Sequence, residues 1–576
     1  MCGIVGYTGK RPARKVLVDG LRALEYRGYD SAGVAFGGER IAVYKCGGRV
    51  DTLADILPRT TAHTGIGHTR WATHGAPCAE NAHPHLSFDK RIALVHNGVI
   101  ENHEELRREL CARGIPLASQ TDSELVAHLL ALETGDIPER IFRVAKRTEG
   151  ALTLLVLRAG EDKVYCYRRG AALLVAEGEG ECFAASDMAA LSPYARQVRV
   201  LRDGECAVLS PSGAMYLTES GICGEGKMLI PPPAPARTSK CHMADEIAQI
   251  PDALSCTLDS YMHSFPARER TAEKLRTCRN VLLVGCGTAW HACLYGQEVI
   301  EKLAGKPCRA LPAGEVDSPR FTDGDTFAVF VTQSGETADT LRAMEECRKL
   351  GAYTLAVTNT EGSTAALAAD ACFLLRAGAE IAVAATKSYC CQLLALWLLA
   401  KDAEGISDGK EEAEELLAKC RAVMKAELPA ECARAQKLFF IGKGQDGVTA
   451  KEGALKFKEV TCRPADAYSA GELKHGAIAL ADGDSAAVVV ATVPCDARRM
   501  RTTVSELRSR GTKVYALSTV GDVGADFTLP LPVQDECALA PVLAVIPLQR
   551  LALTAALGLG LNPDKPRNLA KSVTVI

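Results

Sequence analysis

Val281-Leu282-Leu283-Val284-Gly285-Cys286-Gly287 runs an apolar segment into a glycine turn, and Leu438-Phe439-Phe440-Ile441-Gly442-Lys443-Gly444 repeats the pattern further along the chain. A continuous apolar run of this length that ends on glycine reads as a buried parallel strand handing over to a helix. Matching pieces follow each copy. Phe327 to Thr332, a helix and Tyr353-Thr354-Leu355-Ala356-Val357 come after the first. Ala487 to Thr492, a helix from about Ala497 and Lys513-Val514-Tyr515-Ala516-Leu517 come after the second. This alternation predicts a doubly wound parallel α/β sheet, and its recurrence predicts two pseudo-symmetric α/β subdomains. Neither turn completes a G-x-G-x-x-G, so a dinucleotide site is not indicated.

Upstream of the repeat, the glycine-rich stretch Gly221 to Lys227 and Pro231-Pro232-Pro233-Ala234-Pro235 favour an extended connection and mark the main boundary. Before it lie short strand-like runs (Ile92-Ala93-Leu94-Val95, Leu152 to Leu157, Glu205 to Leu209) and helical stretches (Glu104 to Arg113, Ser123 to Leu132). They predict a layered α+β domain. The expected division is a first domain over 2–222, a linker over 223–240, one α/β repeat over 241–410, a second over 430–566, and a tail over 567–576.

Composition fits a multidomain globular chain: 576 residues, 47% hydrophobic and 24% charged. A net charge of −3 gives no general attraction for nucleic acid. The N-terminus shows no basic and apolar leader, and the most apolar run, Leu393 to Ala400, is far short of the ~20 residues that span a bilayer, so a cytoplasmic protein without a membrane segment is expected. The 23 cysteines are scattered, with no Cys-x-x-Cys, and read mainly as reduced packing residues. His83-Pro84-His85 lacks neighbouring ligands, so no metal and no cofactor are expected.

Met1-Cys2-Gly3-Ile4-Val5-Gly6 places a cysteine directly behind the initiator methionine. Removal of the methionine would put a thiol and an α-amine on one residue. With pKa values near ~8.5 and ~8, the amine can activate the sulfur directly or through a water. Three segments accompany it: Gly67-His68-Thr69-Arg70-Trp71-Ala72-Thr73-His74-Gly75, Val95-His96-Asn97-Gly98-Val99-Ile100-Glu101-Asn102, and Gln120-Thr121-Asp122-Ser123-Glu124. An amidase acting on free glutamine needs a nucleophile, a base, oxyanion donors and a grip on the amino-acid head. Cys2 supplies the first two, Asn97 and the Gly98 N–H can supply the third, and Arg70 with Asp122 can hold the α-carboxylate and α-ammonium. Taken singly, Arg70 and Asp122 could equally form a salt bridge, and Asn97-Gly98 a hairpin turn.

Together with Tyr26-Arg27-Gly28-Tyr29-Asp30-Ser31-Ala32-Gly33, these blocks resemble the N-terminal-nucleophile (class II) glutamine amidotransferase domains. That resemblance implies a four-layer αββα fold for the first domain and the roles just given for Cys2, Arg70, Asn97, Gly98 and Asp122. Trp71, Thr73 and His74 join the glutamine site by the same carry-over, with Trp71 as the gate of an ammonia channel. In the second half, Thr332-Gln333-Ser334-Gly335-Glu336-Thr337 at a strand–helix junction offers hydroxyls, N–H groups and a helix dipole to a phosphate monoester, or simply an ordinary helix cap. The block resembles the phosphate loop of sugar isomerase (SIS) domains, as does the duplicated unit.

Glu452-Gly453-Ala454-Leu455-Lys456-Phe457-Lys458-Glu459, Gly471-Glu472-Leu473-Lys474-His475-Gly476 and Pro566 to Val575 extend the resemblance to the isomerizing glutamine–fructose-6-phosphate aminotransferase family, essentially end to end. It implies L-glutamine and D-fructose 6-phosphate as substrates. Lys571 is implied as the Schiff-base lysine, Glu459 as the base that moves the C1/C2 proton, His475 as the ring-opening histidine contributed by a neighbouring subunit, and Lys456 as a further active-site lysine. Thr288, Thr332, Gln333, Ser334, Thr337, Val383, Ala385 and Ala570 are implied as sugar-phosphate contacts, and a homodimer as the functional unit. Glu452, Lys458 and Lys474 are equally explained by a charged helix face.

Several positions depart from the bacterial pattern: Ala289 and Ala385 replace serines, Thr332 replaces a serine and Ala477 a proline. A lost hydroxyl contact would cost about 1 kcal/mol of phosphate binding. The short linker leaves no room for a regulatory insertion, so no nucleotide-sugar inhibition is expected. An amidophosphoribosyltransferase would need a phosphoribosyl-pyrophosphate loop that is not found, and a non-catalytic SIS sensor would be expected to lose Cys2 or Lys571.

Overall fold

A computed structural model describes residues 2–71, 75–224, 226–231, 238–316, 321–407, 409–533 and 537–573. The chain forms two compact units, Met1–Pro235 with Ala570–Ile576, and Ala236–Leu569. The tail from Ala570 therefore clusters with the first unit.

In the first unit, strand Gly3–Gly9 lies inside an eight-stranded antiparallel sheet, between Glu181–Ala185 and Thr64–Arg70. Its side chains alternate. Val5 and Tyr7 face helix Ala13–Leu24, which buries Val16, Leu17, Leu21 and Leu24, whereas Ile4 faces a second sheet. That second sheet has seven strands, with Ile92–Asn97 between His85–Leu86 and Thr153–Arg158. Ile4, Ile66, Val95, Leu155 and Ala184 fill the space between the sheets. Helices His103–Ala112, Ser123–Leu132 and Ile137–Arg147 cover the outer face of the second with Leu106, Leu125, Leu129, Ile141 and Val144. The layers are helix, sheet, sheet, helix, as the family resemblance implies.

The second unit carries two five-stranded parallel sheets of one topology. The first runs Cys308–Pro312, Asn280–Gly285, Thr326–Thr332, Tyr353–Thr358, Ala371–Leu374 across the sheet. The second runs Ala465–Ser469, Lys437–Gly442, Ser485–Ala491, Lys513–Ser518, Phe527–Pro530. Both follow the order 2-1-3-4-5, so the recurrence visible in the sequence is a recurrence of topology. In such a sheet, loops at the carboxyl ends of the first and third strands open onto a crevice. Gly285 to Thr288 and Thr332 to Thr337 occupy those positions in the first repeat. Helices Thr288–Val299, Lys387–Glu404, Gln445–Thr461 and Ala540–Gly558 join both repeats in one apolar core. The last, 19 residues at a mean hydropathy of 1.6, is long and apolar enough to cross a membrane. Leu393 to Ala400 is thus not the longest apolar stretch. The helix is a core element: Val542, Leu543, Val545, Ile546 and Leu548 are buried against the neighbouring helices.

Candidate active sites

Cys2 precedes the inner strand Gly3–Gly9, and the pairing of Gly3 with Thr69 sets Cys2 beside Arg70 and Trp71 at the same end of the sheet. The Trp71 backbone N–H donates to Cys2 Sγ at 3.4 Å. Burial pushes the Cys2 thiol up, opposed by the positive chain terminus, the Trp71 hydrogen bond and the Arg70 guanidinium. Activation of this sulfur therefore depends on a base held next to it. Asn97, at the end of strand Ile92–Asn97, donates Nδ2–H to the Cys2 carbonyl at 3.0 Å. The same nitrogen carries a second N–H. Gly98 has φ +142°, and a Cβ there would lie 2.1 Å from the Ala151 carbonyl oxygen and 2.8 Å from His96 Nε2, so only glycine fits.

Asp122 is buried, its Oδ2 accepting the Ile100 N–H at 2.8 Å and its Oδ1 the Ser123 hydroxyl at 3.1 Å. Arg70 is likewise buried. Desolvation lowers its pKa, while Cys2, Asp122 and Asp30 act in the opposite sense. A buried cation and a buried anion beside a thiol suit the two ends of a zwitterionic amino acid. Trp71 sits edge-on to Tyr29 with ring centroids 5.8 Å apart. Thr73 and His74 lie outside the described residues.

In the second unit, helix Gln445–Thr461 brings Glu452, Lys456 and Glu459 onto one face, as their three- and four-residue spacing requires. Lys456 is fully buried and lies 2.5 Å from Glu459 Oε2 and 3.5 Å from Glu452 Oε1. Burial alone would lower its pKa, but the Glu459 and Glu452 carboxylates outweigh burial and raise it. Lys456 also donates to the Thr288 hydroxyl at 2.9 Å, and Thr288 donates to Glu452 Oε1 at 3.1 Å. The Thr288 side chain is thus engaged by protein, leaving its backbone for a ligand. Glu452 has no exposed side-chain surface, so the charged-face explanation fails for it. That explanation holds for exposed Lys458 and for Lys474, which pairs with Glu506 at 2.8 Å.

The loop after strand Thr326–Thr332 holds itself together: the Thr332 hydroxyl accepts from Gly335 N at 3.2 Å and Ser334 Oγ from Glu336 N at 3.1 Å. Gly335 has φ +69°, and a Cβ would meet Ser363 Oγ at 2.1 Å. Thr337 stands at the N-cap of helix Ala338–Lys349, yet its side chain makes no capping bond. The ordinary-cap explanation therefore does not account for Thr337. The Gln333 carbonyl accepts from Asn359 N at 3.1 Å. At the matching strand end of the second repeat, the Asp446 carboxylate accepts from Thr492 N at 2.7 Å, and Asp496 pairs with Lys443. Carboxylates in that position disfavour a second phosphate.

Family profiles match the chain as a glutamine amidotransferase domain over residues 68–193 and as SIS domains over 274–401 and 431–557. The isomerizing glutamine–fructose-6-phosphate aminotransferase of Symbiobacterium thermophilum is 42% identical over 609 residues, covering 100% of both chains. An enzyme of the same name from Thermus thermophilus is 40% identical, again over 100% of both. The chain belongs to the glutamine–fructose-6-phosphate aminotransferase family. Among solved structures, the C-terminal domain of the Francisella tularensis glucosamine-fructose-6-phosphate aminotransferase matches 57% of this chain and 98% of its own. The match has a TM-score of 0.53 at 29% identity. Tagatose-6-phosphate ketose/aldose isomerase from Escherichia coli shares the fold at 21% identity, with a TM-score of 0.53, covering 58% of this chain and 98% of its own.

For a glutamine–fructose-6-phosphate aminotransferase, three further placements matter. His475 ends the short helix Glu472–His475 and is exposed. Lys571 and Ala570 belong to the unit that carries Cys2, where the Lys571 N–H lies 3.5 Å from the Tyr26 carbonyl. Tyr26 donates its hydroxyl to Asp187 at 2.9 Å and Arg27 forms an ion pair with the same carboxylate, so Asp187 holds the Tyr26-Arg27 segment that faces the tail. Asp187 is distant in sequence from the motif it supports and carries no signal of its own. Val383 donates its N–H to the Asp564 carbonyl at 3.0 Å, and Ala385 is half-buried.

Four buried histidines lie behind Asn97. His68 and His83 stack at 4.1 Å, His83 meets His85 edge-on at 4.6 Å, and the His96 N–H donates to His83 Nδ1 at 3.2 Å. His83-Pro84-His85 is thus part of a packed layer. Burial lowers His68 to about 3, holds His83 and His85 well below the usual histidine value, and lowers His96. Below pH ~6.5 the unfolded chain takes up protons on these residues while the folded chain does not. Stability of the first unit is therefore lost as pH falls below ~6.5, by about 1.4 kcal/mol per pH unit for each histidine so held. In the second unit burial raises Asp446 to about 6, which acts in the opposite sense as pH falls through about 6 towards the ordinary aspartate value. The first unit should melt markedly earlier at pH 5 than at pH 7.5 in calorimetry; equal melting would contradict a neutral histidine layer.

Proposed function

We propose that the chain hydrolyses L-glutamine at Cys2, passes the ammonia internally to a sugar site, and converts D-fructose 6-phosphate into D-glucosamine 6-phosphate, releasing L-glutamate. The convergence of Cys2, Asn97, Arg70 and Asp122 at one sheet end, in a chain matched over its whole length by aminotransferases, supports this best. Once the methionine is removed, the Cys2 amine takes the thiol proton as sulfur attacks the glutamine amide carbon. Asn97 Nδ2–H and the Gly98 N–H stabilise the oxyanion, a contribution of roughly 3 kcal/mol per donor. The proton returns to the leaving nitrogen as ammonia departs, and water then releases glutamate from the thioester.

At the sugar site a 2-ketose becomes a 2-amino-aldose. Nitrogen replaces the oxygen at C2, a proton moves from C1 to C2, and the redox change is internal, so no external oxidant is required. In this reading His475 of a neighbouring subunit opens the ring, Lys571 engages the ketone as a Schiff base, and Glu459 carries the proton with Lys456 beside it. Gln333, Ser334 and Thr337 hold the phosphate together with the backbone at Thr332 and Thr288. The exposure of His475 supports a role across a subunit boundary, and we assign a cytoplasmic homodimer.

Incubation with amide-labelled ¹⁵N-glutamine and fructose 6-phosphate should yield ¹⁵N-glucosamine 6-phosphate by mass spectrometry. Glutamate without labelled amino sugar would leave the amidase reading standing and remove the acceptor. Neither product would overturn both.

A further inference from the structure

His291 has no part in the scheme above. It lies three residues after Thr288 on helix Thr288–Val299, is 7% exposed, and its Nδ1 is 2.7 Å from Glu452 Oε2. We propose that His291 is a positioning residue for the sugar half-reaction, holding the buried Glu452 carboxylate so that Lys456 is left to Glu459. The inference rests on the sugar-site reading just given.

Glu452 has two buried oxygens. Oε2 takes His291, while Oε1 takes the Thr288 hydroxyl at 3.1 Å and has Lys456 at 3.5 Å. The Lys456 ammonium has three N–H groups and spends its close contacts on Glu459 (2.5 Å) and Thr288 (2.9 Å). It can favour Glu459 because Glu452 is already satisfied. Without a donor at 291, a wholly buried carboxylate loses one of its partners, which is costly. The strongest donor within reach is then Lys456. Drawing Lys456 towards Glu452 takes it from Glu459, the group that must be aimed at C1 and C2. A displacement of about 1 Å at such a group costs on the order of 10²-fold in rate.

A contact that merely staples two helices would not separate kcat from KM in this way. The test compares full-length wild type with His291→Leu and His291→Asn, since the asparagine Nδ2–H can stand where the imidazole Nδ1–H stands. For His291→Leu we expect kcat for glucosamine 6-phosphate formation to fall about tenfold or more. KM for fructose 6-phosphate should stay within about threefold, and glutamate release from glutamine alone should be unchanged. His291→Asn should recover most of the lost kcat. An unchanged kcat in His291→Leu, a loss confined to KM, or an asparagine variant as impaired as leucine would overturn the proposal. Should the leucine variant not fold, His291→Gln, whose amide reaches past the Nδ1 position, takes its place and is expected to be slower than His291→Asn; equal rates would refute it. If wild type itself forms no glucosamine 6-phosphate, the functional reading fails, and with it this inference; an active wild type with an indifferent His291 sinks the inference alone.

Discussion

Cys2→Ala is expected to abolish glutamate formation from glutamine, by more than about 10³-fold, and with it all glutamine-dependent glucosamine 6-phosphate. The size of the effect follows from losing the thiol that the Trp71 N–H contacts and that would form the thioester. The Trp71 N–H that contacts Sγ, the Asn97 amide and the Arg70 guanidinium are donors that can bind and polarise an amide but cannot form a thioester. The substitution removes one sulfur from a half-buried position at the end of an inner strand, and the strand pairs of Gly3 to Gly9 do not depend on it. The melting curve should therefore be near that of wild type. Glutamate release at more than a few per cent of the wild-type rate would remove Cys2 as nucleophile. Cys2→Ser is expected to be nearly as inactive, because burial that already pushes a thiol up leaves a hydroxyl far from ionisation.

The candidate sugar-site segments are legible in the sequence because their residues are contiguous. Thr332 to Thr337 and Glu452 to Glu459 each sit on one turn or one helix face, where spacing alone fixes which side chains meet. The two parallel sheets are legible because a strand buried on both faces is a continuous apolar run, and the same run occurs twice. Partners joined only by tertiary folding are not visible. Asp187 meets Tyr26 and Arg27 across more than half of the first domain, and His291 meets Glu452 from the other repeat. The hydrophobic helix Ala540–Gly558 is less conspicuous than Leu393 to Ala400 because Pro541 and Pro547 argue against a helix there and Gln549-Arg550 ends the apolar run, although Pro541, Pro547 and Gln549 are all buried. Glu452 shows the limit of local pattern most sharply: i and i+4 charges describe a solvated face and a buried relay equally well, and only the packing of a second helix decides between them.

That relay makes Glu459→Gln the most informative change in the second unit. The substitution keeps the size of the side chain and its ability to accept a hydrogen bond from Lys456, but removes the carboxylate proposed to accept the proton. Loss of a general base typically costs about 10²- to 10⁴-fold, and glucosamine 6-phosphate formation is expected to fall within that range. Lys456 would then be a buried ammonium with one carboxylate instead of two. Glu452 lies 3.5 Å from Lys456 and can take up the charge, so the fold should survive where a double loss would not. Glutamine hydrolysis is expected to remain, since Cys2, Asn97 and Asp122 belong to the other unit. The decisive measurement is solvent-exchange labelling: with fructose 6-phosphate in deuterated water, wild type should wash deuterium into the sugar at C1 or C2, and Glu459→Gln should not. Deuterium entering at the wild-type rate in the variant would assign the proton transfer to another group, with Lys456 the nearest candidate by position.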